Sequence, residues 1–233
     1  MSFDLVHIWS SMGGLSKAIA AMLILMAIAS IGVVVERALA LSRSARDSRA
    51  LARRIGPLID EWKIEEMIEA CDAHRHSALA RLFSAILGRY LRGYEDLEGG
   101  LTPVEMARNE AERAKEAIGE ELRRGMNVLA SVGSVAPFVG LLGTVVGIIA
   151  AFQGIGSMGS GGIAAVSLGI SEALIETALG LLVAIPAVLL FNYLTVRVNR
   201  VEMALARSSG ELLDEMENHY GRKPQHGKKK QAA

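Results

Sequence analysis

Several ingredients of common folds are scarce in this chain. A single cysteine, Cys71, stands among 233 residues, which excludes an internal disulfide framework. Aromatic residues make up 5% while mean hydropathy is +0.33, an unusual pairing for a soluble domain of this size. Net charge is zero, with 25 basic and 25 acidic side chains, so there is no basic field of the kind nucleic-acid binders rely on. Charge is also absent over three long stretches, Ala18–Val35, Gly125–Ser171 and Thr177–Val196, of 18, 47 and 20 residues. Yet charged residues reach 21% of the whole, too many for a chain wholly immersed in lipid. Grease and charge are therefore segregated along the sequence.

A helix needs about 20 apolar residues to cross the hydrocarbon core of a bilayer. The uncharged runs predict three transmembrane helices, at 17–36, 126–153 and 165–194, in an all-α membrane protein. The first is not a cleaved signal peptide by pattern. Lys17 is the sole basic residue before it, and Glu36, Arg37 and a basic stretch follow where a small-residue cleavage site would stand. Of the 25 Lys and Arg, 16 lie between Arg37 and Arg124 and eight from Arg197 onward. The positive-inside rule then places 37–125 and 195–233 in the cytoplasm, and 1–16 and the 154–164 turn in the periplasm. The juxtamembrane Arg37, Arg43, Arg46 and Arg49 carry that orientation.

The cytoplasmic segment reads as helices over Ser42–Ile55 (ending at Gly56-Pro57), Leu58–Ala73 and Ser77–Arg92, before breakers at Gly93 and Gly99-Gly100. Thr102-Pro103-Val104-Glu105 supplies an N-cap, a proline at the first helical position and a glutamate at the third, a capping box. The helix it opens is expected to run unbroken into the second span. Val104, Ala107, Ala111, Ala114, Ile118 and Leu122 give it a narrow apolar stripe for packing on other helices. The third span is expected to continue likewise through Val198, Val201, Leu205, Leu212 and Met216. The final stretch, with Lys228-Lys229-Lys230, reads as a solvated basic tail.

Glu172 and Glu176 interrupt the last apolar region. Carboxylates within a membrane helix are costly, at least about 2.5–3.5 kcal/mol on the most lenient scale, and normally face protein or a watery path. Four residues apart, the two share a helix face and would titrate as a coupled unit, as a proton relay requires. The second span carries Ala136, Pro137, Gly140, Gly143 and Gly147 at small-xxx-small spacing, and the third carries Gly169/Ala173 and Gly180/Ala184 with Pro186. Such surfaces let helix backbones approach closely in lipid. Thr144 and Thr177 add hydroxyls, which in membrane helices ordinarily bond back to their own backbone. Gly154-Ile-Gly-Ser-Met-Gly159 matches a dinucleotide pattern but follows no strand. His74-Arg-His76 has too few companion ligands for a metal, and Cys71 has no catalytic setting. No enzyme, metal or cofactor signature emerges, leaving H⁺ or Na⁺ as the ions the carboxylates would serve.

Gly133-Ser-Val-Ala-Pro137-Phe-Val-Gly-Leu-Leu-Gly143-Thr144-Val-Val-Gly147, followed by Gly169-Ile-Ser-Glu172-Ala-Leu-Ile-Glu-Thr177-Ala-Leu-Gly180 and Pro186, resembles the MotA/TolQ/ExbB proton-channel family. Three spans with a large insert between the first two resemble its TolQ/ExbB branch; the MotA branch has four spans. The resemblance implies a homo-oligomeric ring, typically of five subunits, in the bacterial inner membrane. That ring would surround helices of a single-span TolR/ExbD-like partner and convert proton motive force into mechanical work on the envelope. It maps the family's span-three glutamate onto Glu172 and its pore threonines onto Thr144 and Thr177. Glu176 departs from the pattern, since relatives usually carry a small or neutral residue such as alanine there, and no family role transfers to it. Iron-complex import, outer-membrane integrity and gliding motility are all processes such a motor powers. A structural membrane scaffold is the rival expectation; it accounts for the glycine surfaces but not for the glutamates.

Overall fold

The computed structural model describes residues 13–95, 100–158 and 162–222. Among the described residues every regular element is an α-helix: α1 (Gly14–Asp60), α2 (Ile64–Asp72), α3 (Ala78–Glu95), α4 (Pro103–Arg123), α5 (Met126–Met158) and α6 (Gly162–Arg222). Helices α1, α5 and α6 each hold an apolar stretch long enough to cross a membrane, as the three uncharged runs require. A helix satisfies every backbone N–H and C=O within its own segment, which is what a span without water demands. Residues 1–12, the centre of the expected 154–164 turn at 159–161, and the tail with Lys228–Lys230 lie outside the described residues.

The chain divides into two units. The first takes residues up to Arg37 together with Arg124–Thr195. Its interior is small and tight: Ile19 and Leu23 of α1, Val132, Ala136 and Val139 of α5, and Ala184 and Ala187 of α6, with Met26, Val146, Leu179 and Val183 against them. Its larger apolar side chains point outward, Phe138 being 70% and Leu182 68% exposed. Water does not tolerate that much exposed apolar surface, whereas lipid or further membrane helices would cover it.

The second unit takes Ala38–Arg123 and the residues from Val196 on, and it buries apolar stripes in the ordinary way. Val104, Ala107, Ala111, Ile118 and Leu122 of α4 are buried as the stripe predicts, as are Val198, Leu205, Leu212 and Met216 of α6, while Ala114 and Val201 are half-buried. Polar ties fix the packing. Ser77 caps α3 by accepting from the Ala80 N–H at 3.1 Å, Ser44 of α1 accepts from the Ala78 N–H at 3.1 Å, and Ser48 bonds to Ser77 at 2.8 Å. Arg81 pairs with Glu121. Arg123 forks onto both oxygens of Glu202 at 3.0 and 2.7 Å and reaches Asn199 at 2.7 Å. The capping box forms: Thr102 Oγ1 accepts from the Glu105 N–H at 3.2 Å while the Glu105 carboxylate accepts from the Thr102 N–H at 2.8 Å.

Helix boundaries differ from the sequence expectation in five places, the slightest being α3, which runs through Gly93 to Glu95 rather than ending at Arg92. Gly56-Pro57 does not end α1, which runs on to Asp60. Pro57 forfeits one backbone bond, to Arg53, and that loss is tolerable one turn from a helix end. The true stop is a Schellman closure, with the Lys63 N–H on the Leu58 carbonyl at 3.0 Å and the Trp62 N–H on the Ile59 carbonyl at 3.0 Å. Trp62 occupies the left-handed position at φ 56°, where glycine is usual. Its ring compensates by stacking on His219 at 4.1 Å and meeting Tyr90 edge-on at 6.0 Å. The next helix consequently starts at Ile64 rather than Leu58.

The helix opened at Pro103 does not run unbroken into the second span. It stops at Arg123, and Gly125, at φ 77°, separates it from α5. A left-handed residue cannot sit inside an α-helix, and glycine adopts that conformation without steric cost. Finally, α5 extends to Met158 and α6 resumes at Gly162, so most of the expected 154–164 turn is helical.

Candidate functional site

The site is built on a backbone-to-backbone contact between α5 and α6. A Cβ added at Gly140 would lie 2.9 Å from the Glu176 carbonyl oxygen and 3.2 Å from the Gly180 Cα. One added at Gly180 would lie 2.7 Å from the Ala136 carbonyl oxygen and 3.0 Å from the Gly140 Cα. Gly147 meets Ala173 in the same way at 2.9 Å, and Gly169 meets Ala151 at 2.7 Å. The small residues expected to pack the spans therefore form one seam, in which any larger side chain would force the helices apart. Pro137 and Pro186 lie inside their helices.

Gly143 leaves a notch in that seam, and the Glu176 side chain fills it. A Cβ at Gly143 would stand 2.8 Å from both Cβ and Cδ of Glu176 and closer still to Oε2. Glu176 is 0% exposed, and neither carboxylate oxygen has a hydrogen-bond partner. Ser16, itself buried in the first turn of α1, lies near enough to interact with the carboxyl but does not meet it in hydrogen-bonding geometry. The carboxyl thus lies level with the start of the first apolar run rather than its middle. One turn nearer the N-terminus of α6, Glu172 is half-buried, with its Oε1 buried and unpartnered. The two carboxyls are near enough for their charges to interact.

The two threonines behave differently. Thr144 Oγ1 donates back to the Leu141 carbonyl of its own helix at 2.7 Å, the ordinary fate of a membrane hydroxyl. Thr177 Oγ1 instead crosses the seam and donates to the Gly140 carbonyl at 3.1 Å. It ties α6 to α5 immediately beside Glu176. Glu176 and Thr177 thus lie over the Gly140–Gly143 stretch of α5, with Glu172 one turn nearer the N-terminus of α6. Sequence reasoning missed Ser16, a lone serine ahead of the first span that belongs to no motif. A depth match between α1 and α6, which run in the same direction through this unit, is the signal that points to it. Among the described residues no group of three or more His, Cys, Asp or Glu is arranged to hold a metal ion.

Apolar spans joined by a glycine seam, with ionisable groups buried in it, define a multi-pass helical membrane protein with polar chemistry inside its span region. Comparison with known sequences makes this particular. The profile of the MotA/TolQ/ExbB proton channel family matches residues 76–207. A biopolymer transport protein ExbB of Neisseria meningitidis serogroup A is 37% identical over 178 residues, covering 74% of this chain and 79% of that protein. An ExbB of Salmonella typhimurium is 38% identical over 122 residues, 52% of this chain and 49% of that protein. One of Xanthomonas campestris pv. campestris reaches 59% over 73 residues, 31% of this chain and 29% of its own length. The chain belongs to the MotA/TolQ/ExbB proton channel family, on its ExbB/TolQ branch.

Proposed function

We propose that this protein is the proton-conducting subunit of an energy-transducing motor complex in the bacterial inner membrane. Copies of it assemble as a ring, five by family resemblance, around a TolR/ExbD-like partner. The N-terminus is periplasmic and the C-terminus cytoplasmic, as the distribution of Lys and Arg indicates. Protons driven by the membrane potential protonate Glu172 and leave toward the cytoplasm, with Thr144 and Thr177 as polar steps and Glu176 as an accessory carboxyl. The cycle moves ring and partner relative to one another and so performs work on the envelope. The name of the relatives, biopolymer transport protein, favours a transport process over gliding motility as the process served.

The observation that carries this reading is the pair of α6 carboxyls with three oxygens buried and unpartnered, inside the segment the family profile covers. Burying such groups costs about 1–3 kcal/mol each without a compensating bond, a burden with no return in a plain scaffold. The test is passive proton uptake by liposomes containing the chain with its partner, read with an internal pH dye under an imposed potential. Glu172→Gln should abolish uptake while the complex still assembles. Undiminished uptake by that variant removes Glu172 from the pathway, and uptake that follows Na⁺ rather than H⁺ makes the motor sodium-driven.

A further inference from the structure

The orphaned carboxyl of Glu176 is not explained by the family pattern or by the helix seam, since a seam is best served by a small residue there. We propose that Glu176 is a second proton-binding group, enclosed among α1, α5 and α6 and filled and emptied through Glu172. In the transfer step the Glu172 carboxyl loses its O–H bond, and a new O–H bond forms on the Glu176 carboxylate. The negative charge moves from Glu176 to Glu172, and nothing is oxidised or reduced. The proton comes from water on the exposed side of Glu172 and returns the same way, so that Glu176 acts as an internal store for the carboxyl beside it.

Three observations support this. Glu176 is a fully buried side chain with both oxygens unpartnered, which distinguishes it from an ordinary acidic cluster satisfied by its own hydrogen bonds. Its neighbour four residues away is half-buried and has one oxygen turned into the protein, so Glu172 spans the distance between surface and interior. Third, the notch at Gly143 is filled by the Glu176 side chain, whose Cβ and Cδ stand 2.8 Å from where a Cβ would be, with Oε2 closer still. A metal cation needs several oxygen ligands around it, whereas among the described residues Ser16 and Glu172 are the side chains placed beside Glu176, over the glycines of α5. A proton needs no coordination shell and fits.

This inference rests on the proton-conducting role, but its test needs neither partner nor gradient, so the two readings fail separately. The full chain in lipid nanodiscs is examined by infrared spectroscopy for the carbonyl stretch of a protonated carboxyl, followed after transfer to D₂O. Glu176→Gln should remove one protonated-carboxyl band, and Glu176→Ala gives the same assignment if the amide perturbs folding. In the wild-type chain that band should shift promptly in D₂O. In Glu172→Gln its exchange should slow by about 100-fold, the lower range of what a positioned proton-transfer group contributes. A spectrum unaffected by loss of Glu176 overturns the proposal. So does exchange as fast in Glu172→Gln as in the wild type, or a band abolished by NaCl but not by KCl. Proton uptake by Glu172→Gln liposomes judges the conducting role independently.

Discussion

Gly143 and Glu176 form a lock whose two halves can be tested against each other. Replacing Gly143 by alanine puts a methyl group 2.8 Å from two carbons of Glu176 and nearer to its Oε2, well inside van der Waals contact. The glutamate cannot swing freely aside, because its backbone lies so close to α5 that even a Cβ at Gly140 would come within 2.9 Å of its carbonyl oxygen, and Thr177 is bonded across the seam. Overpacking of this kind costs about 1–3 kcal/mol. Glu176→Ala alone should be close to neutral: it leaves a void, but it also removes a buried, unpartnered carboxyl that costs about 1–3 kcal/mol. In the double variant the new methyl occupies space the carboxyl has vacated, so the cost of Gly143→Ala should largely vanish. The coupling between the sites should fall within the 0.5–3 kcal/mol range typical of residues in contact. Reversible unfolding of the four proteins in mixed micelles measures all the terms. Simple additivity, with Gly143→Ala equally harmful whether or not Glu176 is present, would refute the notch and with it the enclosed position of the carboxyl.

Three further predictions concern the second unit. The Thr102 backbone N–H and hydroxyl hold the Glu105 carboxyl below its usual range near 4.5. The cap therefore contributes stability above that value and loses it as pH falls through the lowered folded value; thermal unfolding scanned from neutral to acid should show this loss, and Glu105→Gln should remove it. Thr102→Ala should cost about 1 kcal/mol at neutral pH in the same assay. At Trp62, glycine relieves the left-handed strain and alanine does not, so Trp62→Gly should be less destabilising than Trp62→Ala by about 1 kcal/mol, although both lose the His219 stack; equal losses would mean that the φ of 56° carries no strain. Burial pushes the Cys71 thiol up to about 11. At neutral pH a thiol reagent should label it in the unfolded chain and leave it untouched in the folded one, as mass spectrometry would show.

The spans and the seam were legible in the sequence because both depend on composition at fixed spacing. An uncharged run of sufficient length has to be helical in lipid, and small residues four apart have few uses there besides close packing. The stripes on α4 and α6 were legible for the same reason. Helix ends were less so. Gly56-Pro57 reads as a strong stop, yet Trp62, an unlikely residue for a left-handed cap, ends α1 because aromatic partners distant in sequence hold it. The single glycine at 125 reads as part of an apolar run, and its φ of 77° is a property of the folded backbone that no spacing rule reveals. Ser16 was invisible because a lone serine at the rim of a span acquires meaning only from what stands opposite it.

The carboxyls show how far spacing alone can mislead about roles within one helix face. At i and i+4 the two glutamates look equivalent, and the family pattern singles out Glu172 for function while leaving Glu176 unaccounted for. Burial divides them the other way: Glu176 is fully enclosed and Glu172 is half-open. The residue at position 176 meets α5 where that helix has glycine at both 140 and 143. Gly140 sets the backbone distance, and Gly143 supplies room for a side chain longer than alanine. An acid at 176 therefore depends on a missing side chain on another helix, and the two positions have to be read as one unit. A half-open carboxyl is suited to exchange with its surroundings and an enclosed one to retention. That difference in burial follows from where α5 lacks side chains.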